Sequence, residues 1–215
     1  GSVQLPGQQQ PLIRALAAVN PNLVVVLESG GVVALEQCID DIKGLLYAFY
    51  PGLEGGNAIA DVLFGDVNPS GKLPVTMPRD DGQLPAWDDL DFSGDLVDGF
   101  GYRRFDSLGL SPQYAFGYGL SYTTFEYDNL VVTPALTAGD LPVLASVDVT
   151  NTGARAGDEI VQLYLSVHFA GADARAAVPM PVKQLRGFRR VSLTPGQAQT
   201  VTFALGPEEL SYWSV

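Results

Sequence analysis

Residues 23–65 read LVVVLESGGVVALEQCIDDIKGLLYAFYPGLEGGNAIADVLFG and contain two apolar runs with loops between them. The runs, 23–27 and 44–49, are strand-sized and lack the polar alternation of a half-exposed strand. Uninterrupted apolar strands are typical of a parallel sheet that is covered on both faces. The stretch therefore predicts two neighbouring buried strands of an α/β domain.

Helices are predicted on both sides of these strands. The first begins near Pro11 and stops at Asn20, because a residue that precedes a proline is driven out of the helical region. The second follows the turn 51–56, with Asn57 as its N-cap and Gly65 at its end. Together with the strands they give an alternating helix–strand order.

Further elements are predicted within and after this stretch. Residues 32–39 are compatible with a short helix, 68–71 with a turn, and 72–76 with a third short strand. The resulting order predicts part of a three-layer α/β sandwich. It is followed, at 79–106, by a long irregular loop rich in aspartate, and loops of that length are usually functional or disordered.

The pattern changes to all-β near residue 120. Alternating apolar residues between turn signals predict five short strands, which indicates a sandwich of the immunoglobulin or fibronectin type III class. The predicted strands are 125–132, 143–150, 160–169, 182–193 and 199–205. We therefore expect an α/β domain at 1–120, including the acidic loop, and a β domain at 121–215.

Composition excludes several classes of function. Twelve basic residues against 24 acidic ones give a net charge of −12, which argues against binding of nucleic acid. No apolar run has the length of a membrane span. The single cysteine, Cys38, is expected to be a small buried apolar residue, and the single histidine, His168, an ordinary strand residue near a loop. No metal site and no cofactor are predicted.

Several longer motifs are specific enough to indicate a family. They are PGLEGGNAIADVLFGDVNPSGKLP at 51–74, GYR at 101–103, FGYGLSYTTF at 116–125, NTG at 151–153, AGDE at 156–159, QLY at 162–164 and LRGF at 185–188. In this order they resemble the carboxyl-terminal half of the family 3 glycoside hydrolases, the β-glucosidase and β-xylosidase family. The resemblance covers nearly the whole chain and implies an α/β sandwich followed by a fibronectin type III-like domain.

The same resemblance implies which parts of such an enzyme lie outside these 215 residues. The family's aspartate nucleophile belongs to an amino-terminal barrel, and its acid/base glutamate precedes the segment that matches residues 5–8. Residues 210–213 match a late strand of the β domain, after which the closing strands are expected. The implied substrate is an oligosaccharide or an aryl or alkyl β-glycoside, and many relatives are periplasmic or secreted.

Some residues within the chain are nevertheless candidates for the site. Glu28 and Glu54 each follow a predicted strand, where α/β proteins bind ligands, although Glu54 could simply brace the helix that starts at Asn57. Asp95 and Asp98 lie where many relatives of the family carry a glutamate, and could face a sugar or belong to a solvated loop.

Aromatic and basic residues give weaker indications. Trp87, in the irregular loop, is the best candidate for stacking on a sugar, whereas Tyr102, Tyr118 and Tyr122 are expected to be core or interface aromatics. The arginines are expected to pair with the acidic loop. They are Arg103, Arg104, Arg186, Arg189 and Arg190.

Two functions follow from these observations. The chain is either the non-barrel part of a retaining β-glycoside hydrolase, inactive by itself, or a non-catalytic module that binds carbohydrate or a partner. A homodimer formed through an open β-edge would fit the second hypothesis.

Overall fold

The computed structural model describes residues 2–85, 100–133, 142–166 and 180–211. The chain divides into two compact units. The first comprises Gly1–Val67 and Leu73–Tyr118, and the second comprises Asn68–Lys72 and Gly119–Val215. The segment Asn68–Lys72 therefore belongs to the β unit, although the sequence on both sides of it belongs to the α/β unit.

Helices and a parallel strand pair form the first unit. Its elements are α1 (Gln9–Val19), β1 (Val24–Leu27), β2 (Gly44–Tyr47), α2 (Gly55–Phe64) and α3 (Gly101–Ser107), with 3₁₀ turns at Ile39–Asp41 and Asp81–Gln83. Strands β1 and β2 pair in parallel, from Val24 opposite Gly44 to Leu27 opposite Tyr47, as their apolar runs predict. The α/β class predicted from the sequence is confirmed.

A small apolar core holds this unit together. Its buried members are Leu5, Ile13, Leu27, Val33, Leu35 and Cys38. Cys38 is 1% exposed, which confirms the prediction for this residue, and burial raises the pKa of its thiol. Asn20 ends α1 in an extended conformation, and Gly65 ends α2 with a left-handed φ of 83°.

Three local predictions for this unit are wrong. Residues 32–39 form no α-helix: Ala34 pairs with Gln4 in a parallel bridge, residues 36–38 form a turn, and a 3₁₀ turn begins at Ile39. Residues 72–76 form no strand, and Met77 instead makes an isolated bridge to Tyr114. Helix α2 begins before Asn57, with Glu54 as N-cap.

Within the described ranges, the second unit contains five antiparallel strands. They are β3 (Phe125–Thr133), β4 (Val143–Asn151), β5 (Gly157–Leu165), β6 (Gln184–Leu193) and β7 (Ala198–Leu205). Among the described residues they form two sheets, ordered β3–β4–β7 and β5–β6. Alternate residues of β4 and β7 are buried, which is the pattern that predicted these strands.

The core of the second unit is built from alternating valines and a few larger side chains. It contains Val149, Val161, Val191, Leu193, Val201 and Phe203. The late strand predicted at 210–213 is wrong for Leu210, which is the last residue of the short helix α4 (Pro207–Leu210). Pro207 favours a helix here because its fixed φ suits the first helical turn. Residues 212 and 213 lie outside the described ranges.

Candidate functional site

The carboxyl ends of β1 and β2 bring two loops together in the first unit. Because the strands are parallel, residues that follow Leu27 and Tyr47 lie at the same edge of the sheet. The hydroxyl of Ser29 donates to the carbonyl oxygen of Gly31 at 3.0 Å, and the hydroxyl of Tyr47 donates to the same oxygen. The side chain of Tyr47, at the end of β2, thus fixes the loop that follows β1. Burial raises the pKa of Tyr47.

Three aromatic residues lie at this edge. The rings of Tyr47 and Phe49 are partly buried, with centroids 4.2 Å apart and planes inclined by 48°. Phe49 has a φ of 53°, a conformation that side chains other than glycine seldom adopt. Tyr50, the next residue, is 82% exposed. A Cβ placed on Gly30 would lie 2.5 Å from Cε2 of Tyr50, so the phenol ring lies directly against the Gly30 backbone.

Two carboxylates accompany the aromatic residues. Glu28 follows β1 and Glu54 precedes α2, and both are exposed. The amide of Asn57 donates to Oε2 of Glu54 at 2.6 Å, which is the bracing contact considered from the sequence. An exposed carboxylate in such a contact is a hydrogen-bond acceptor available to a hydroxylated ligand.

The remaining catalytic and stacking candidates cannot be placed. Asp95, Asp98 and Trp87 lie outside the described residues, as does His168. Of the other aromatic candidates, Tyr118 and Tyr122 are 41% and 43% exposed, so neither is a core residue. Within the first unit the rings of Tyr102 and Phe116 are 5.0 Å apart.

A second polar cluster lies inside the β unit. The ammonium group of Lys72 lies 3.2 Å from Oε2 of Glu159 and donates to the carbonyl oxygen of Gly119 at 2.8 Å. The hydroxyl of Tyr127 donates to Oε1 of Glu159 at 2.9 Å. Burial, followed by the Glu159 carboxylate, raises the pKa of Tyr127.

Asn68 anchors the other end of the same segment. Its amide nitrogen donates to the carbonyl oxygen of Ala156 at 2.9 Å. Its amide oxygen accepts from the hydroxyl of Ser121 at 2.9 Å and from the backbone N–H of Tyr122 at 2.7 Å. Three of the four hydrogen bonds that this side chain can make thereby hold 68–72 in the second unit, which is a structural task.

The arginine prediction needs correction at Arg190. Its guanidinium pairs with Asp158, the residue opposite Ser192 in the β5–β6 ladder. Arg186 donates to the carbonyl oxygen of Ser211 at 2.9 Å. Arg190 lies on β6 and reaches Asp158 across the β5–β6 ladder.

The described residues present no groups of the kind that hold a metal ion. Among them no three His, Cys, Asp or Glu side chains cluster in a suitable way. No helix in the described ranges is both long and apolar enough to cross a bilayer.

Sequence reasoning missed two features, Tyr50 and the pair formed by Lys72 and Glu159. Tyr50 stands in an apolar run and was not considered as a surface residue. The signal that was available is the turn sequence that follows it directly at Pro51-Gly52. No local signal joins Lys72 to Glu159.

The fold and the motifs together define a known class, which the comparisons with known proteins identify. The sequence model described as the glycosyl hydrolase family 3 C-terminal domain matches residues 1–122, and that of the fibronectin type III-like domain matches residues 159–215. The chain belongs to glycosyl hydrolase family 3, of which it represents the carboxyl-terminal α/β and β domains.

Individual relatives agree with this assignment. The periplasmic β-glucosidase of Salmonella typhimurium is 41% identical over 218 residues, which cover 99% of this chain and 28% of the relative. A β-glucosidase structure from Bifidobacterium adolescentis superimposes with a TM-score of 0.87 at 36% identity, over 99% of this chain and 31% of that one.

A third comparison concerns a structure with a bound sugar. The β-glucosidase of Kluyveromyces marxianus, in complex with glucose, has a TM-score of 0.83 at 38% identity, over 97% of this chain and 24% of that one. The chain therefore spans less than a third of the length of these relatives.

Proposed function

We propose that this chain is the carboxyl-terminal part of a retaining hydrolase of β-glucosides or related β-linked sugars, and that both catalytic carboxylates lie outside it. The observation that carries the proposal is the collinear match of 99% of the chain to a β-glucosidase of which it covers 28%. A retaining mechanism needs a nucleophile and a proton donor about 5–5.5 Å apart. The resemblance assigns both groups to segments that are not among the 215 residues.

The described geometry is compatible with a supporting role in such an enzyme. Glu28 and Glu54 are exposed at the sheet edge, whereas the proton donor of a glycosidase typically lies in an apolar pocket. We therefore expect Glu54 to contribute hydrogen bonds and not acid/base chemistry. Asp95, Asp98 and Trp87 remain candidates for contact with the sugar.

The isolated chain is expected to be inactive, and an exchange of segments tests its contribution. The chain would replace the matching carboxyl-terminal segment of the Salmonella β-glucosidase, and hydrolysis of an aryl β-glucoside would be followed. We expect turnover by the chimera and none by the 215-residue chain.

Two controls make the result decisive. The Salmonella enzyme without its carboxyl-terminal segment sets the background, and the intact enzyme sets the maximum. A chimera that unfolds cooperatively but does not exceed the background would contradict the proposal. Robust hydrolysis by the pure chain would overturn the assignment of both carboxylates to other segments.

A non-catalytic partner-binding module is the second candidate, and one observation favours it. The edge strand β3 exposes three successive apolar side chains, those of Leu130, Val131 and Val132, which are 69%, 48% and 56% exposed. Exposed apolar edges invite pairing with another chain. Sedimentation at several concentrations tests this, with a dimer that Val131→Lys disrupts as the supporting result and a monomer at every concentration as the opposing one.

A further inference from the structure

The segment Asn68–Lys72 gives the chain an unusual path between its two units. The chain leaves the α/β unit after Val67, returns to it at Leu73, and leaves it again after Tyr118. With the last connection alone, either unit could open without moving the chain of the other. The short excursion at 68–72 is different, because its position is set in the β unit and its flanks are set in the α/β unit.

Side chains hold both ends of this segment in the β unit. At one end Asn68 makes three side-chain hydrogen bonds to groups of the β unit. At the other end the ammonium group of Lys72 lies 3.2 Å from the carboxylate of Glu159, and these two side chains are 15% and 11% exposed. Release of either end would leave polar groups of the β unit without these partners, which costs free energy.

The backbone of the β unit leaves space for the segment. A Cβ on Gly157 would lie 2.6 Å from the amide nitrogen of Asn68, and a Cβ on Gly119 would lie 2.1 Å from the carbonyl oxygen of Gly71. Both distances are too short for any residue other than glycine while the segment stays in place. Two glycines of the β unit are thus fitted to the segment at two separate points.

Hydrogen bonds fix the two flanks within the α/β unit. The N–H of Val67 donates to the carbonyl oxygen of Asp61 in α2 at 3.0 Å. The N–H of Leu73 donates to the carbonyl oxygen of Tyr118 at 2.8 Å, and the N–H of Gly117 donates to that of Leu73 at 2.8 Å. Such bonds fail once donor and acceptor separate by more than a few tenths of an ångström. The flanks therefore cannot follow a displaced segment and keep these bonds.

We propose that Asn68–Lys72 is a latch through which the β unit stabilises the adjoining part of the α/β unit, namely the end of α2 and the bonded pair Leu73 and Gly117. While the β unit is folded, it holds the latch and keeps both flanks in place. When the β unit opens, the latch is released and the flanks lose their protection, whereas the pair of strands β1 and β2 keeps its own. This role of the β unit does not depend on any hydrolytic activity.

Amide hydrogen exchange of the ¹⁵N-labelled 215-residue chain tests the latch. Val149→Ala weakens the core of the β unit, in which this side chain is fully buried, and no member of that core lies in the latch. We expect exchange at the amides of Val67 and Leu73 to become about tenfold faster, together with exchange in β4 and β7. Exchange in β1 and β2 should stay the same.

A variant of the latch itself completes the test. Asn68→Ala removes three hydrogen bonds and no charge, and should accelerate exchange at Val67 and Leu73 about tenfold. Asn22→Ala, at an exposed asparagine between α1 and β1, is the matched control and should change neither amide. When Val149→Ala is added to Asn68→Ala, exchange at Val67 should change by less than about twofold, because the released latch no longer connects it to the β core.

Three results would overturn the latch. One is faster exchange in β4 and β7 of Val149→Ala with none at Val67 and Leu73. Another is equal acceleration in β1 and β2, which would mean that the whole chain opens together. The third is an equal effect of Val149→Ala with and without Asn68. Thermal unfolding shows that each variant is folded before it is compared. Since no readout requires catalysis, failure of the latch and failure of the proposed function are independent results.

Discussion

The ammonium group of Lys72 lies 3.2 Å from the carboxylate of Glu159 inside the β unit, although 87 positions separate the two residues in the sequence. Glu159 is 8% exposed, and its other carboxylate oxygen accepts the hydroxyl of Tyr127. A buried carboxylate with both oxygens occupied is costly to leave without its cation. The pair therefore makes the position of the segment Asn68–Lys72 important for the stability of the β unit.

Glu159→Gln should destabilise the protein by about 3 kcal/mol, because it leaves the largely buried ammonium of Lys72 without a counter-charge. The amide keeps an acceptor for Tyr127, so the effect reports mainly on the charge. Urea unfolding measures the change. Glu126→Gln, at an exposed position on β3, is the control and should change stability by less than about 0.5 kcal/mol. Equal effects at both positions would rule out the charge pair as the cause.

The Tyr127 hydroxyl predicts a loss of stability at high pH. Burial and the neighbouring Glu159 raise its pKa in the folded protein above the unfolded value, so the folded state favours the neutral phenol. This contribution is complete below the unfolded pKa of about 10 and is lost as the pH rises from there towards the folded pKa. Urea midpoints measured from neutral to alkaline pH should fall less steeply in Tyr127→Phe. Parallel pH profiles would contradict this account.

Asp158 predicts a loss of stability in acid. Hydrogen bonds from Ser192 and then Arg190 lower its pKa below the usual value of 3.8, so the folded state favours the carboxylate. The contribution is present above the unfolded pKa and is lost as the pH falls through the folded one, below about pH 4. Between neutral pH and that range, the Tm of Asp158→Asn should fall less than that of the wild type. If the Tm of Asp158→Asn fell as steeply with decreasing pH as that of the wild type, Asp158 would not contribute to the acid dependence of stability.

Gly119→Ala should be strongly destabilising because the backbone leaves no room for a side chain. A Cβ at this position would lie 2.1 Å from the carbonyl oxygen of Gly71, which is backbone and cannot swing away. Overpacking of this kind costs about 1–3 kcal/mol. Gly56→Ala, in α2, meets nothing within 4 Å and should instead stabilise by about 0.5–1 kcal/mol. Thermal unfolding of both variants checks the opposite signs.

Local patterns predicted much of this fold, because each pattern records the surroundings of a short segment. The alternation along β4 and β7 indicated which faces are buried, and the uninterrupted run at β1 indicated a strand of the α/β class. The strands were predicted correctly, but the burial predicted for β1 is wrong, because only Leu27 is buried and Val24 is 49% exposed. Residues 32–39 were misassigned: Ala34 instead bridges to distant Gln4. Such contacts between distant residues leave no periodic trace.

The candidate site was less predictable for the same reason. The position of Glu54 after a strand follows from sequence, and so does its contact with Asn57 three residues later. The exposure of Tyr50 depends on the conformation of Phe49 and on the approach of Gly30 from another loop. Sequence patterns give the composition of this sheet edge but not the direction of its side chains.

Glu54→Gln in the chimera with the Salmonella β-glucosidase should distinguish a supporting residue from the acid/base catalyst. Loss of a general acid or base costs about 10²–10⁴-fold in rate, with a changed pH profile. Because Glu54 is exposed and bonded to Asn57, we expect kcat to fall by far less than a hundredfold, a higher KM, and an unchanged pH profile. Asp61→Asn, at a residue within α2, provides the background for a charge change in the same element. A kcat loss of about 10³-fold with a shifted acid or basic limb would assign catalysis to Glu54 and place one of the two carboxylates inside this chain.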